Sequence, residues 1–193
     1  MTDNRDTIWK EFKSGSNSAF ERIYYQHIDV LYRYGSKITA DKHLLKDSIQ
    51  QLFLELYSSR ERLADPENIE FYLLKALKRI IIHKMNSNRR SGDLFDSNFP
   101  FFDIDADTEN MIISNEHEHA KMKLLEDVLR SLEPAKKELL FLKFYSGLSN
   151  QQIGLLTGLQ PDTVQKQLYR ILKKLQVTFI DRFLQLFTIC FKA

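Results

Sequence analysis

The sequence holds a single cysteine, Cys190, and so cannot form an internal disulfide. A lone thiol reads as a small apolar side chain rather than a nucleophile. Because the start, MTDNRDTIWKEF, contains no apolar signal segment, the expected compartment is a reducing cytoplasm. Glycines are few, six in all, and none gathers into a phosphate-cradling loop. His27, His43 and His83 stand isolated, while His117 and His119 alternate with Glu116 and Glu118, a spacing that points successive side chains apart on a helix. No cysteine pair accompanies them, and no serine or cysteine has a recognisable activating neighbour. The expectation is therefore no metal, no cofactor and no enzyme. Long apolar runs are also missing: the tail 177–193 is mostly apolar but is interrupted by Asp181, Arg182 and Gln185. It is too short to span a bilayer and reads as a helix packing on the last domain or on a partner.

Charge of one sign is missing from one stretch. Between Ser91 and Ala120 lie eight carboxylates (Asp93, Asp96, Asp103, Asp105, Asp107, Glu109, Glu116, Glu118) and no lysine or arginine, so a chain of net charge +2 carries +10 over the remainder. Such a balance suits nucleic acid as partner for the two ends. With Pro100, a phenylalanine cluster (Phe99, Phe101, Phe102) and little helical periodicity, the stretch reads as an extended, solvated interdomain linker. At 193 residues and 43% hydrophobic composition, two small domains fit best on either side of it.

What is present is helical periodicity, most informatively from Leu148 to Leu175. Ser149 and Gln152 form a capping-box pair, Gly158 supplies a left-handed residue that ends a short helix, and Pro161 with Asp162 opens a second one. On that second helix Val164, Leu168, Ile171, Leu172 and Leu175 share a core arc. Thr163, Lys166, Gln167, Arg170, Lys173 and Lys174 lie opposite, with hydrogen-bonding groups at the start and cations beyond. That order suits base edges in a major groove and the flanking phosphates, and the whole reads as a helix-turn-helix. Two helices over 121–131 and 134–146, with Leu125, Val128, Leu129, Leu132, Leu139, Leu140, Leu142 and Phe144 apolar, would scaffold it.

Toward the N-terminus, Ile8, Trp9 and Phe12, then Phe20, Ile23, Tyr24, Ile28, Leu31 and Tyr32, recur at helical spacing and predict two helices broken near Gly15, with the aromatics in the core. From Leu44 to Ser59, Leu45, Ile49, Leu52, Phe53 and Leu56 share a buried arc. Asp47, Gln50, Gln51, Leu54 and Glu55 face away, a polar face with one apolar anchor of the kind that docks on another protein. Asp65 as cap and Pro66 in the first turn predict a further helix to about Met85, its core face Ile69, Leu73, Ala76, Leu77 and Ile80. Phe71, Tyr72, Lys75, Lys78 and Arg79 occupy another arc, followed by Arg89 and Arg90. Cations among aromatics can hold a single strand, the charges tracking phosphates while rings stack on unpaired bases.

With these residues in place the chain resembles RNA polymerase sigma factors of the sigma-70 family, in the small extracytoplasmic-function group that keeps only the second and fourth conserved regions. The likeness covers about Phe20 to Arg90 and Leu124 to Leu175. The family's D-x-x-Q-x-x-F helix stands here as Asp47, Gln50 and Phe53. The fourth region's pattern stands as Leu132-Glu133-Pro134, Gly147-Leu148-Ser149, Thr163-Val164, Arg170 and Lys173-Lys174. Departures are Tyr72 where a tryptophan often opens the long helix, Arg79 for an asparagine, Gln160 for a serine before the second helix, and Gln165 for a basic residue.

The resemblance implies an all-α protein of two small helical domains joined by an acidic linker: a polymerase-docking and −10-element domain over 1–90, the linker over 91–119, a −35-element helix-turn-helix domain over 120–176, and the tail 177–193. It implies a transcription initiation factor that docks on core RNA polymerase through Asp47, Gln50, Gln51, Leu54 and Glu55. The −10 element would be captured as single strand by Phe71, Tyr72, Lys75, Lys78 and Arg79. The −35 duplex would be read through Thr163, Lys166, Gln167, Arg170, Lys173 and Lys174. Members of the group are often held by a membrane-anchored anti-sigma factor, so a partner of that class is implied, without direct membrane insertion. Two alternatives stay open: a LuxR-type helix-turn-helix regulator, since GLSNQQIG with Thr163-Val164 and ILKKL also fits that pattern, and a helical interaction protein whose basic faces are only solvated.

Overall fold

The computed structural model describes residues 3–88 and 127–190, with side chains placed over 7–87 and 127–177. The acidic stretch 91–119, with its phenylalanine cluster and the histidines 117 and 119, lies outside the described residues, as do Arg89, Arg90 and Leu125. The chain divides into two compact units, and every described secondary-structure element in both is helical.

The first unit holds α1 (Asp3–Lys13), α2 (Asn17–Ile38), α3 (Lys42–Ser59), a single 3-10 turn (Arg60–Arg62) and α4 (Ile69–Asn88). The break between α1 and α2 falls at Gly15, which adopts a left-handed φ of +95°, and Ser16 then caps α2 by accepting from the Ala19 N–H. Asp41 caps α3, its carboxylate accepting from the N–H groups of His43 and Leu44 at 2.9 and 3.0 Å. These caps satisfy donors that the first turns leave open. Ile23, Leu31 and Tyr34 of α2, Leu45 and Leu52 of α3, and Leu73, Leu74, Leu77 and Ile81 of α4 form one core. Each such leucine or isoleucine stabilises the fold by about 1.5–3 kcal/mol relative to exposure. Tyr32, expected in this core, is 39% exposed, because Leu31, Tyr34 and Ile38 already fill the inward arc of α2.

The start of α4 differs from the sequence expectation. Asn68, not Asp65, caps it, with the Asn68 Oδ1 accepting from the Phe71 N–H at 2.9 Å. Asp65 is drawn instead to Lys13 of α1, 2.8 Å away, and Pro66 stays in the loop. The buried face of α4 is also broader than one stripe, since α4 packs against both α2 and α3. That second contact buries Leu74 and Ile81, and with them Lys78, which lies between them on the helix surface.

In the second unit residues 127–130 are helical, and α5 (Pro134–Leu140), α6 (Asn150–Thr157) and α7 (Pro161–Cys190) follow. The helix expected over 134–146 changes its winding partway. From Phe141 to Tyr145 it is a π-turn, closed by the Ser146 N–H donating to the Phe141 carbonyl five residues back at 3.1 Å. Along this wider turn Phe141 and Leu142 are buried while Phe144, one of the apolar residues of the expected scaffold helix, is 62% exposed. Val164, Leu168 and Ile171 of α7 bury against α5 and α6, but Leu172 is 44% exposed and Leu175 only half-buried. Two short helices cover a narrower arc of α7 than the periodicity suggests. The apolar tail is not a separate segment, for α7 continues through it to Cys190. Among the described residues no helix is long and apolar enough to cross a membrane.

Candidate nucleic-acid interface

The helix-turn-helix of α6 and α7 is built by five residues with distinct tasks. Ser149 and Gln152 close the reciprocal cap: Ser149 N–H donates to Gln152 Oε1 at 3.0 Å, and Gln152 N–H donates to Ser149 Oγ at 3.2 Å. Gly158 sits at φ +76°, and its N–H and that of Leu159 both donate to the Gly154 carbonyl, at 2.8 and 3.1 Å. Gly154, which the sequence did not single out, lets the chain turn back on itself. A Cβ there would lie 2.5 Å from the carbonyl oxygen of Leu159. Pro161 then starts α7 with its missing N–H at a position where none is needed.

This turn sets which face of α7 looks outward. Lys166, Arg170, Lys173 and Lys174 are exposed, and Thr163 and Gln167 are half-buried. All six residues expected on that face are thus at least partly accessible. Gln167, Arg170 and Lys174 also line a cleft shared with Ser131, Leu132, Glu133, Ala135 and Lys136, which leaves Lys166 and Lys173 as the more outward cations. Between these two on the helix surface stands Tyr169, 65% exposed. Tyr169 was in neither arc read from the sequence, and its exposure is what distinguishes it from a core aromatic.

In the first unit, α3 presents Asp47, Gln50, Leu54 and Glu55 to solvent, with Leu54 63% exposed and Gln51 half-buried. Gln51 Nε2 donates to Glu55 Oε1 at 2.7 Å. The other Glu55 oxygen lies 3.8 Å from the Arg79 guanidinium of α4, so this face and the aromatic-basic face adjoin through one ion pair. On α4, Phe71, Lys75 and Arg79 recur every four residues in one stripe, the Lys75 ammonium 5.9 Å from the Phe71 ring centre. Tyr72 is half-buried with its ring edge-on to Trp9 at 5.7 Å. Burial pushes the Tyr72 phenol above its ordinary value of 10.0, against the lowering influence of Arg79. Lys78 requires correction: only 7% exposed, it is not on the accessible arc with Lys75 and Arg79, because α4 buries that edge between its two neighbours. Among the described residues no group of histidine, cysteine and carboxylate side chains could hold a metal ion.

Comparison with known proteins matches residues 122–175 to the family model for sigma-70, region 4. Over longer stretches the chain is similar to RNA polymerase sigma factor SigV of Bacillus subtilis, 24% identical over 151 residues that cover 78% of this chain and 85% of SigV. It is likewise 24% identical to an RNA polymerase sigma-E factor of Streptomyces avermitilis, covering 81% of this chain and 83% of that protein. The RNA polymerase sigma factor CarQ of Myxococcus xanthus is 23% identical, with coverage of 86% and 92%. Among solved structures the fold matches CnrH, in complex with the cytosolic domain of CnrY, with a TM-score of 0.56 at 12% identity over 91% of this chain and 97% of that one. It also matches the sigma factor RpoE of Bartonella quintana, in complex with the anti-sigma factor NepR, with a TM-score of 0.55 at 15% identity over 83% and 96%. The LuxR-type alternative accounts for the turn alone, whereas these likenesses run through both units. The motifs in their order, the helix-turn-helix and the relatives agree: residues 122–175 match region 4 of the sigma-70 family, and over most of its length the chain is similar to RNA polymerase sigma factors of the extracytoplasmic-function group.

Proposed function

We propose that this transcription initiation factor divides promoter recognition between its two units, working in the cytoplasm and without catalysing a reaction itself. In the first unit Asp47, Gln50, Gln51, Leu54 and Glu55 dock on core RNA polymerase, with Leu54 as the apolar anchor among polar groups. Phe71 and Tyr72 stack on bases of the opened −10 element while Lys75 and Arg79 track its phosphates. Stacking of that kind contributes about 1–3 kcal/mol per base. In the second unit the outward face of α7 enters the major groove of the −35 duplex, Thr163 and Gln167 near its start, Lys166, Arg170, Lys173 and Lys174 farther along.

The observation that carries this reading is the helix-turn-helix itself: the reciprocal Ser149–Gln152 cap, left-handed Gly158 and close-packed Gly154 fix the direction of α7, and the face so presented is cationic. The CnrH and RpoE structures are both complexes with a second protein, named in one case as an anti-sigma factor. A partner of that class, soluble or anchored in a membrane, is part of the proposal for this chain. The test is to mix the purified chain with core polymerase and follow co-elution, then to titrate the complex against promoter duplexes. Co-elution with enhanced duplex binding supports the reading. A chain that ignores polymerase but binds a palindromic duplex as a dimer overturns it in favour of a LuxR-type regulator, and one that binds neither points to a helical interaction protein.

A further inference from the structure

Two contacts from α1 end on the loop between the 3-10 turn and α4, and a third reaches α4 itself. The indole Nε1 of Trp9 donates to the Ala64 carbonyl at 3.2 Å, and Lys13 Nζ donates to Asp65 Oδ1 at 2.8 Å. The Trp9 ring meets the edge of Tyr72 one turn into α4. Trp9 is 2% exposed, so its N–H must find an acceptor inside the protein, and the one it takes is a loop carbonyl more than fifty residues away. At its ends the loop is held by the Leu63 N–H to the Arg60 carbonyl, a long 3.4 Å, and by the Asn68 cap. In its middle, the hydrogen bonds among the described residues both come from α1.

We infer that α1 is a positioning element for single-strand capture, with Trp9 and Lys13 holding the loop at 63–68 and the Tyr72 ring in the geometry that the α4 face requires. The inference rests on the reading that Phe71 and Tyr72 stack on an opened strand. A helix that served only to cover the core would bury Ile8, Trp9 and Phe12, satisfy the indole N–H wherever an acceptor lay, and leave Lys13 to solvent. Here the indole N–H and the Lys13 ammonium both end on the loop. A base stacking on Tyr72 would press on a ring already in contact with Trp9, so occupancy of the face is transmitted to α1.

Asp65 gives a test whose sign decides. It is exposed, so Asp65→Asn leaves the core untouched, and it removes one negative charge from a chain proposed to hold phosphates. Charge alone would strengthen binding of a single strand. Positioning predicts the opposite, a loss of about two- to fivefold, the scale of an exposed ion pair. Affinity is measured by anisotropy of labelled oligothymidylate on the full chain assembled with core polymerase. Trp9 is the sole tryptophan in the sequence, so 5-fluorotryptophan incorporated into this chain and combined with unlabelled polymerase gives one fluorine resonance. That resonance is expected to shift when oligothymidylate binds, and not to shift further in Tyr72→Ala. Unchanged or tighter binding by Asp65→Asn, or a static resonance on a strand that does bind, overturns the inference and leaves α1 as a cover for the core. If Tyr72→Ala and Phe71→Ala leave oligothymidylate affinity at the wild-type level, the reading of the α4 face itself fails, and the inference with it.

Discussion

Replacing Gly154 by alanine should damage the helix-turn-helix more than its chemistry suggests. The added methyl would stand 2.5 Å from the Leu159 carbonyl oxygen, a backbone atom fixed between Gly158 and Pro161 that cannot swing aside as a flexible side chain would. Overpacking of this kind costs about 1–3 kcal/mol. Gly158→Ala is the informative neighbour, because nothing lies within 4 Å of its Cβ position and the whole cost comes from holding an L-residue at φ +76°. That cost is about 1–2 kcal/mol, and Gly158→Asn should recover much of it because asparagine tolerates the left-handed region. The assay can separate the two units. Trp9 lies in the first, so tryptophan fluorescence during urea unfolding reports that unit alone, while far-UV ellipticity reports helices in both. With a urea dependence of ~1 kcal/mol per molar for so small a unit, the ellipticity transition of the second unit should fall by about 1 M or more in Gly154→Ala. The fluorescence transition should stay in place, and affinity for −35 duplex should drop as the start of α7 is displaced. A Gly154→Ala protein with both transitions and duplex affinity unchanged would refute the steric account of the turn.

Other outcomes follow from the exposed faces and from Tyr72. The double substitution of Asp47 and Gln50 by alanine should weaken competition for core polymerase while leaving thermal unfolding unaltered, since both side chains are exposed; unchanged competition would remove this face from docking. Arg170→Ala should reduce −35 binding by about 1–3 kcal/mol at one base-pair position if Arg170 reads a base, and uniformly across sequences if it touches phosphate. No loss in either Arg170→Ala or Lys166→Ala would mean that another face of α7 meets DNA. Because burial raises the Tyr72 phenol above 10.0, the folded protein favours the neutral ring; its contribution is complete below that pH and is lost as pH rises through the folded value. Thermal unfolding above pH 10.0 should therefore be less steeply pH-dependent in Tyr72→Phe than in the wild type, and identical slopes would contradict the burial.

Local signals were legible where a residue's task is set by its own chain neighbours. The Ser149–Gln152 cap, left-handed Gly158 and the break at Gly15 are all of this kind, and each stands as the sequence implies. The arcs on α3 are equally faithful, with Leu45, Ile49, Leu52, Phe53 and Leu56 buried, because one helix face meets one core. What escaped depends on distant partners. Asp65 reads as a cap but is taken by Lys13 from fifty-two residues away, and Asn68 caps in its place. Lys78 reads as exposed from periodicity, yet a second packing surface on α4 covers it. The exposure of Phe144 was not legible because a π-turn adds a residue to the winding, and period counting assumes that the winding is uniform. Gly154 was overlooked since its reason is a carbonyl five residues on that only the folded turn brings close.

On the proposed function, this chain confers promoter selectivity on a polymerase that lacks it. Run-off transcription with purified core polymerase, on a pool of promoter-bearing fragments, measures that directly. With the chain present, discrete transcripts should start from a subset of fragments. They should disappear when Asp47 and Gln50 are replaced by alanine, and weaken or change selection when Arg170 is replaced. Transcripts no different from those of core polymerase alone, under conditions where the chain is folded and bound to the enzyme, would contradict the account.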